Sequence, residues 1–268
     1  NHFIGERLDD AEQCLLDLQR LCQHGHFELS VHLATVREML ASIGEAHSAW
    51  NTAKLLQRDG FKACFVDLTA WRSDKQTSLD ERILDAFQEL DPSEQIPIAT
   101  GYAHSDEGLM STFDRGYSEM TFSRVAVLTK AKEAVIHKEF HLSTADPRLV
   151  GEQNSIAIGR TNYDVADQLA ALGMEAIHPK AAKGLRCNKI TLSVRNTFEP
   201  DHPGTLISKD YRGEVSRVEI ISGTDRVTAL EVHDPFMVGQ VGFDMNLMKV
   251  MQRYNISYIL KATNANSI

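Results

Sequence analysis

The spacing of apolar positions divides the chain into helical and extended stretches. Leu8, Ala11, Leu15, Leu18 and Cys22 recur at helical intervals, so the first stretch is predicted as a helix with those residues on its inner face. Ser30 stands where an N-cap would start a second helix running to Leu40. Gly44 breaks the pattern, and a separate helix is expected over 45–58, stopped by Gly60. Beyond it the rhythm alternates. The run 63–68 (ACFVDL) reads as a buried strand, 79–90 as a helix closed before Pro92, and 96–100 as a strand leading into Gly101. A helix follows over 118–130, a strand over 134–137 and a helix over 163–172, closed by Gly173. Strands separated by helices imply a mainly parallel sheet with helices on both faces. Ligands of such sheets bind beyond the carboxyl ends of the strands, which points to loops 69–78, 101–118 and 138–160.

The pattern changes at 200–213 (PDHPGTLISKDYRG), where prolines, glycines and charges mark a connector. After it, 218–221, 227–232 and 256–261 read as strands. Residues 243–254 read as a helix with Leu247, Val250 and Met251 on its apolar face. This tail is too thin to hold a core alone.

Composition narrows the class. A chain of 268 residues with 43% hydrophobic and 24% charged residues is globular, sized for one large domain or two modest ones. Its 28 basic and 37 acidic residues give a net charge of −9, which repels phosphate backbones and argues against a nucleic-acid partner. No apolar run approaches a membrane span, so no membrane partner is expected, and no basic-then-apolar leader opens the chain, so no secretion signal is expected. Cys14, Cys22, Cys64 and Cys187 form no CxxC pair, so neither a zinc site nor a disulfide framework is expected, and a reducing cytoplasm fits best. None of the 16 glycines is adjacent to another, and neither GxxxxGK[ST] nor GxGxxG occurs, which excludes a P-loop and a dinucleotide fingerprint.

Four segments carry candidate chemistry. In SIGEAHS, Glu45 follows Gly44 and is expected in a helix's first turn, either as a simple dipole-favoured charge or as a carboxylate for a substrate ammonium. In FDRGYSEMT, Arg115 has the fork geometry to grip a carboxylate and Gly116 admits close backbone approach. Ser118 in the same segment is either an anion contact at a helix start or one half of a capping box. In LSTADPR, Asp146-Pro147 makes a turn and Arg148 serves either a phosphate or that turn. In GMEAIHP, His178 precedes Pro179 and is held extended. No second histidine or cysteine stands at ligand spacing, so no transition-metal site is expected.

Taken in order, IGEAHS (43–48), FDRGYSEMTFSR (113–124), HLSTADPRLVG (141–151), GRTNYDVADQLAALGMEAIHPKAA (159–182), VRNTFEPDHPGTLI (194–207) and NANSI (264–268) resemble the aspartate kinase family, closest to the branch associated with ectoine biosynthesis. The resemblance covers nearly the whole chain. It implies an α/β protein: an amino-acid-kinase (carbamate-kinase-like) α/β/α sandwich over 1–207, followed by a partial ACT-type α+β regulatory domain over 208–268. It implies transfer of the γ-phosphoryl of ATP, with Mg²⁺, to the side-chain carboxylate of L-aspartate. Substrate contacts are expected from Glu45, Arg115, Ser118 and Glu119, the last standing where most members have Asp. Nucleotide contacts are expected from His137 and Lys138 (where many members carry Thr-Asp), Ser143 (a common Tyr position), Arg148, Glu175 (where many have Lys) and Ala176. Effector contacts are expected from Asp234, Val238, Gly239, Asn264 and Asn266, and a homodimer through ACT domains is implied.

The family's Lys-Phe-Gly-Gly-Thr-Ser type segment, with its catalytic lysine, and its second ACT unit have no counterpart in this chain. A fragment with little activity alone is therefore expected. The competing reading is a non-catalytic amino-acid-sensing module. A third is a kinase for glutamate or acetylglutamate, which VRNTFEPDHPGT and NANSI disfavour.

Overall fold

The computed structural model describes residues 2–25, 29–70, 72, 77–106, 116–171, 177–223 and 227–268. Helix α1 spans His2–Cys22 and α2 spans Ser30–Arg58. Strand β1 (Ala63–Val66), helix α3 (Leu79–Phe87) and strand β2 (Ile96–Ala99) follow. Then come α4 (Tyr117–Leu128), β3 (Glu133–Lys138), the short α5 (Pro147–Val150), a 3₁₀ turn at Glu152–Asn154 and β4 (Arg160–Asn162). Helices α6 (Tyr163–Ala171) and α7 (Pro179–Cys187), strands β5 (Thr191–Asn196) and β6 (Thr205–Ser208), and α8 (Phe243–Arg253) complete the order. No helix among the described residues is long and apolar enough to cross a membrane.

The strands form two sheets. β1 and β2 pair in parallel, Ala63 opposite Ile96 through Val66 opposite Ala99. The second sheet has the order β3-β5-β6-β4. β3 pairs β5 and β4 pairs β6 in parallel, whereas β5 and β6 are antiparallel. The sheet is thus mixed, and its antiparallel step comes from the short 197–204 connection.

Each sheet carries its own core. Leu185, Leu192 and Ile207 are fully buried with Tyr163, Leu169 and Ile177 around the larger sheet. Each such aliphatic side chain contributes about 1.5–3 kcal/mol by leaving water. Val66, Leu68, Leu79 and Ile83 form the core beside β1 and β2. Met120 packs against both, so α4 lies between them.

Several expectations are corrected. Gly44 does not end a helix: α2 runs unbroken through it because Ile43, Ala46, Ala49 and Ala53 bury a continuous stripe. That packing outweighs the roughly 1 kcal/mol cost of a helical glycine. Glu45 therefore sits mid-helix, not in a first turn, and Ser30 makes no cap hydrogen bond. In α1, Leu8 and Leu15 are exposed while Arg7 and Ala11 are buried. Phe3 stacks on Trp50 at 5.3 Å and Arg7 Nη1 donates to Thr69 Oγ1 at 3.2 Å, so an aromatic–cation stripe seats the helix. The connector at 200–213 contains β6, which pairs within the larger sheet.

In the tail, 218–221, 227–232 and 256–261 form no strand among the described residues. Extended segments need neighbours for their backbone groups. Here Val218, Leu230 and Leu260 stay largely exposed, and a short His233–Ser267 bridge is the pairing seen. α8 matches its prediction but buries no side chain.

Candidate functional site

The site forms where the chain leaves β2 and enters α4. Buried Thr100 accepts from the Leu68 backbone N–H at 3.1 Å and donates to the Tyr102 carbonyl at 2.7 Å, locking the exits of β1 and β2 together. This presses Gly101 against α2. A Cβ there would lie 2.7 Å from Glu45 Oε2 and 3.1 Å from Ser118 Cβ, so only glycine leaves the carboxylate in place. From the other side, Gly116 caps α4 with φ of 82° and sets Ser118 in the first turn. The Ser118 hydroxyl donates to Glu45 Oε1. Burial, then the Glu45 charge and hydrogen bond, push the Tyr117 phenol above its ordinary pKa. Glu45 Oε2 is buried and has no hydrogen-bond partner among the described residues. A half-paired buried carboxylate is costly, and a cationic ligand removes that cost.

A cleft of about 180 Å³ opens one turn earlier on α2, lined by Glu38, Ser42, Thr69, Tyr102 and His104. Tyr102 donates to Glu38 Oε2 at 2.9 Å. Burial first, and Glu38 second, raise the Tyr102 phenol pKa well beyond its usual range.

On the opposite side of α4, Glu119 has both oxygens occupied. Lys138 Nζ, at the end of β3, donates to Oε1 at 3.0 Å, and the His178 backbone N–H donates to Oε2. His178 also caps α7 through Nδ1, 3.3 Å from the Lys180 N–H, and its ring lies 3.0 Å from where a Gly116 Cβ would be. One histidine thus closes α7 onto the head of α4.

The other sequence candidates divide. His137 is exposed on β3. Ser143 is buried and its hydroxyl donates to the His141 carbonyl at 3.0 Å. Asp146 caps α5, and its carboxylate takes Arg148 Nε at 3.1 Å and Nη2 at 2.8 Å, so Arg148 serves the turn. Arg115, Glu175 and Ala176 lie outside the described residues. In the tail, the Asp234 N–H donates to the Asn266 carbonyl at 2.9 Å and Asn264 Oδ1 accepts from the Asn266 N–H at 3.0 Å, which brings three effector candidates together. Val238 is 68% exposed and Gly239 turns at φ 88°; neither is seen in a contact with that cluster among the described residues. No group of three or more metal-ligating side chains occurs among the described residues.

Sequence reasoning missed Gly101 and Tyr117. A glycine directly after a strand is a signal of close backbone approach and was available for Gly101. Nothing local marks Tyr117, because its partner is distant in sequence.

Comparison with known proteins accords with this geometry. The chain is 53% identical, over its whole length, to the aspartate kinase Ask_Ect of Stutzerimonas stutzeri strain A1501, of which it covers 56%. It is 28% identical over 87% of its length to chloroplastic aspartokinase 1 of Arabidopsis thaliana, covering 43% of that protein. The chain therefore spans about half the length of the curated relatives it matches. Among solved structures, E. coli aspartokinase III in complex with aspartate and ADP (R-state) superposes with a TM-score of 0.62 at 20% identity. That match covers 97% of this chain and 59% of the other, and it shows a shared fold. The model of the amino acid kinase family matches residues 9–196, and the chain belongs to that family.

Proposed function

We propose that this chain is the larger part of an aspartate kinase, which transfers the γ-phosphoryl of ATP to the side-chain carboxylate of L-aspartate to give 4-phospho-L-aspartate. The observation that carries the reading is the buried Glu45 Oε2 beside Ser118, which has no hydrogen-bond partner among the described residues and offers a seat for the substrate ammonium. The 53% identity to an aspartate kinase supports it and favours the ectoine branch. A sensor that never transferred a phosphoryl group would have no use for this pocket next to the Glu119–Lys138 pair.

The acceptor carboxylate is ionised at neutral pH and needs no general base. What the chain supplies is position and charge. Glu45 holds the ammonium, Ser118 holds Glu45, and Arg115 is assigned the substrate's other carboxylate. ATP with Mg²⁺ supplies the phosphoryl group and neutralises charge on its oxygens. The donor set fits the phosphate end of such a nucleotide through Lys138, a cation about one-quarter exposed at the end of β3. Ser143 is buried and bonded to the His141 carbonyl, and Arg148 gives one edge to Asp146, so His137 and Lys138 at the end of β3 are taken as the leading nucleotide contacts. A hard cation such as Mg²⁺ keeps waters and phosphate oxygens as ligands, so the lack of a protein cage among the described residues is compatible with it.

The proposal places a catalytic unit at 1–207 and a partial ACT unit at 208–268, homodimeric and cytoplasmic in the whole protein. The Asp234–Asn266 contact supports an amino-acid effector site there. The relatives' solved forms include E. coli aspartokinase III in complex with lysine and aspartate, the kind of ligand such a site takes. The test is aspartyl hydroxamate formation from L-aspartate, ATP·Mg²⁺ and hydroxylamine by the whole protein. Product that requires aspartate, and is not formed with glutamate, supports the reading; product with glutamate alone contradicts it.

A further inference from the structure

We propose that Lys138 is the phosphate-binding cation of this chain and that Glu119 is the positioning residue that holds it, not a substrate ligand. The inference rests on the kinase reading above and assigns roles within its site.

Three observations carry it. The first is occupancy. Glu119 Oε1 takes the Lys138 ammonium at 3.0 Å and Oε2 takes the His178 N–H, so neither oxygen faces a substrate amine. The second is place. Glu119 follows Ser118 in the first turn of α4, and Ser118 bonds the carboxylate that would hold the acceptor. A cation joined to Glu119 therefore stands beside the residue that holds Glu45, one step along the first turn of α4. The third is valence. An ammonium has three donors. Lys138 Nζ makes a single hydrogen bond among the described residues, to Glu119. Its remaining donors are left for phosphate oxygens.

The pair also has a physical rationale. A lysine free in solvent loses rotamer freedom when it is fixed. Fixing it beforehand against Glu119 lowers the cost at the moment of binding. The hydrogen bond from His178 draws negative charge toward the other carboxylate oxygen, so Lys138 is oriented without being fully neutralised. Arg148, the other cation that the sequence assigned to phosphate, turns one guanidinium edge, Nε and Nη2, onto Asp146 in its own turn.

The test is titration calorimetry of ADP and of adenosine, with Mg²⁺ present, against the unmodified protein and three variants. Lys138→Met is expected to weaken ADP binding about tenfold, in line with loss of one charged hydrogen bond, and to leave adenosine unchanged. Lys138→Arg restores most of the ADP affinity. Glu119→Gln weakens ADP by a smaller factor, again without changing adenosine. Equal weakening of ADP and adenosine in Lys138→Met, or no weakening of either, overturns the assignment of Lys138. Unchanged ADP affinity in Glu119→Gln overturns the positioning role. An unmodified protein that binds neither ligand contradicts the underlying kinase reading and this inference together.

Discussion

Glu45 and Glu119 meet at the head of α4 from different elements, and the fold treats them differently. Glu119 has a partner on each oxygen, Lys138 Nζ on one side and the His178 backbone on the other. Glu45 has Ser118 on one oxygen and leaves the other buried with no hydrogen-bond partner among the described residues. A carboxylate paired on both oxygens repays its desolvation and ties α4, β3 and α7 into one unit. A buried carboxylate paired on one oxygen is a standing cost that only a ligand removes. The Glu45 side of α4 therefore offers an unfilled seat for a cation, and the Glu119 side holds a cation already in place.

The largest effect that sharpens this contrast is on activity. Glu45→Gln is expected to lower kcat/KM for the acceptor amino acid by about a hundredfold, the scale of one buried charged hydrogen bond lost. Its urea midpoint should stay the same or rise, since an unsatisfied buried charge is gone. A clear fall in midpoint would mean that Glu45 is structural after all.

Glu119→Ala is expected to behave the other way. It strands the His178 N–H and the Lys138 ammonium, and costs about 1–3 kcal/mol of stability, read as a lower midpoint at unchanged denaturant slope. Gly101→Ala should come next. Its Cβ would fall 2.7 Å from Glu45 Oε2, so the carboxylate must move. A destabilisation of about 1–2 kcal/mol with a raised KM for the acceptor follows from overpacking at that point. A neutral outcome on both counts would show that Gly101 does not position Glu45.

Tyr117→Phe should be the mildest. The phenol's pKa is raised in the fold by burial and by Glu45, so the protonated form is favoured there. Its contribution is fully present below the unfolded tyrosine value near pH 10 and is lost as pH rises through the higher folded value. The unmodified protein should therefore lose stability more steeply above about pH 10 than Tyr117→Phe does, as followed by thermal unfolding. Parallel alkaline profiles would remove Tyr117 from the site.

Much of the fold was legible because burial and period agree locally. β1, β2 and β3 are apolar runs between turn signals, and each appears within two residues of its expected range. β4, β5 and β6 were not expected: β4 is three residues long, β5 mixes Thr, Ser, Arg and Asn with its apolar positions, and β6 lies among prolines and glycines that read as a connector. The tail strands failed for the opposite reason. Their residues have strand-like sequence, but a strand is a property of pairs, and Val218 and Leu230 meet no neighbour that covers them.

At the site, local reading put Glu45 at a helix start. Its actual place mid-helix depends on an alanine stripe packing across Gly44. Its role toward an ammonium came through resemblance, whereas its half-paired state is a tertiary fact. The same holds for Glu119, whose partners come from β3 and from the entry to α7, far along the chain.

In the proposed site it is Glu45 that holds the acceptor's ammonium. Calorimetric titration of L-aspartate against succinate, which keeps both carboxylates and lacks the amine, isolates that contact in the unmodified protein and in Glu45→Gln. The expected result is tighter binding of aspartate than of succinate by at least about tenfold in the unmodified protein, and near-equal binding in Glu45→Gln. Preference for aspartate that survives the substitution would contradict the claim.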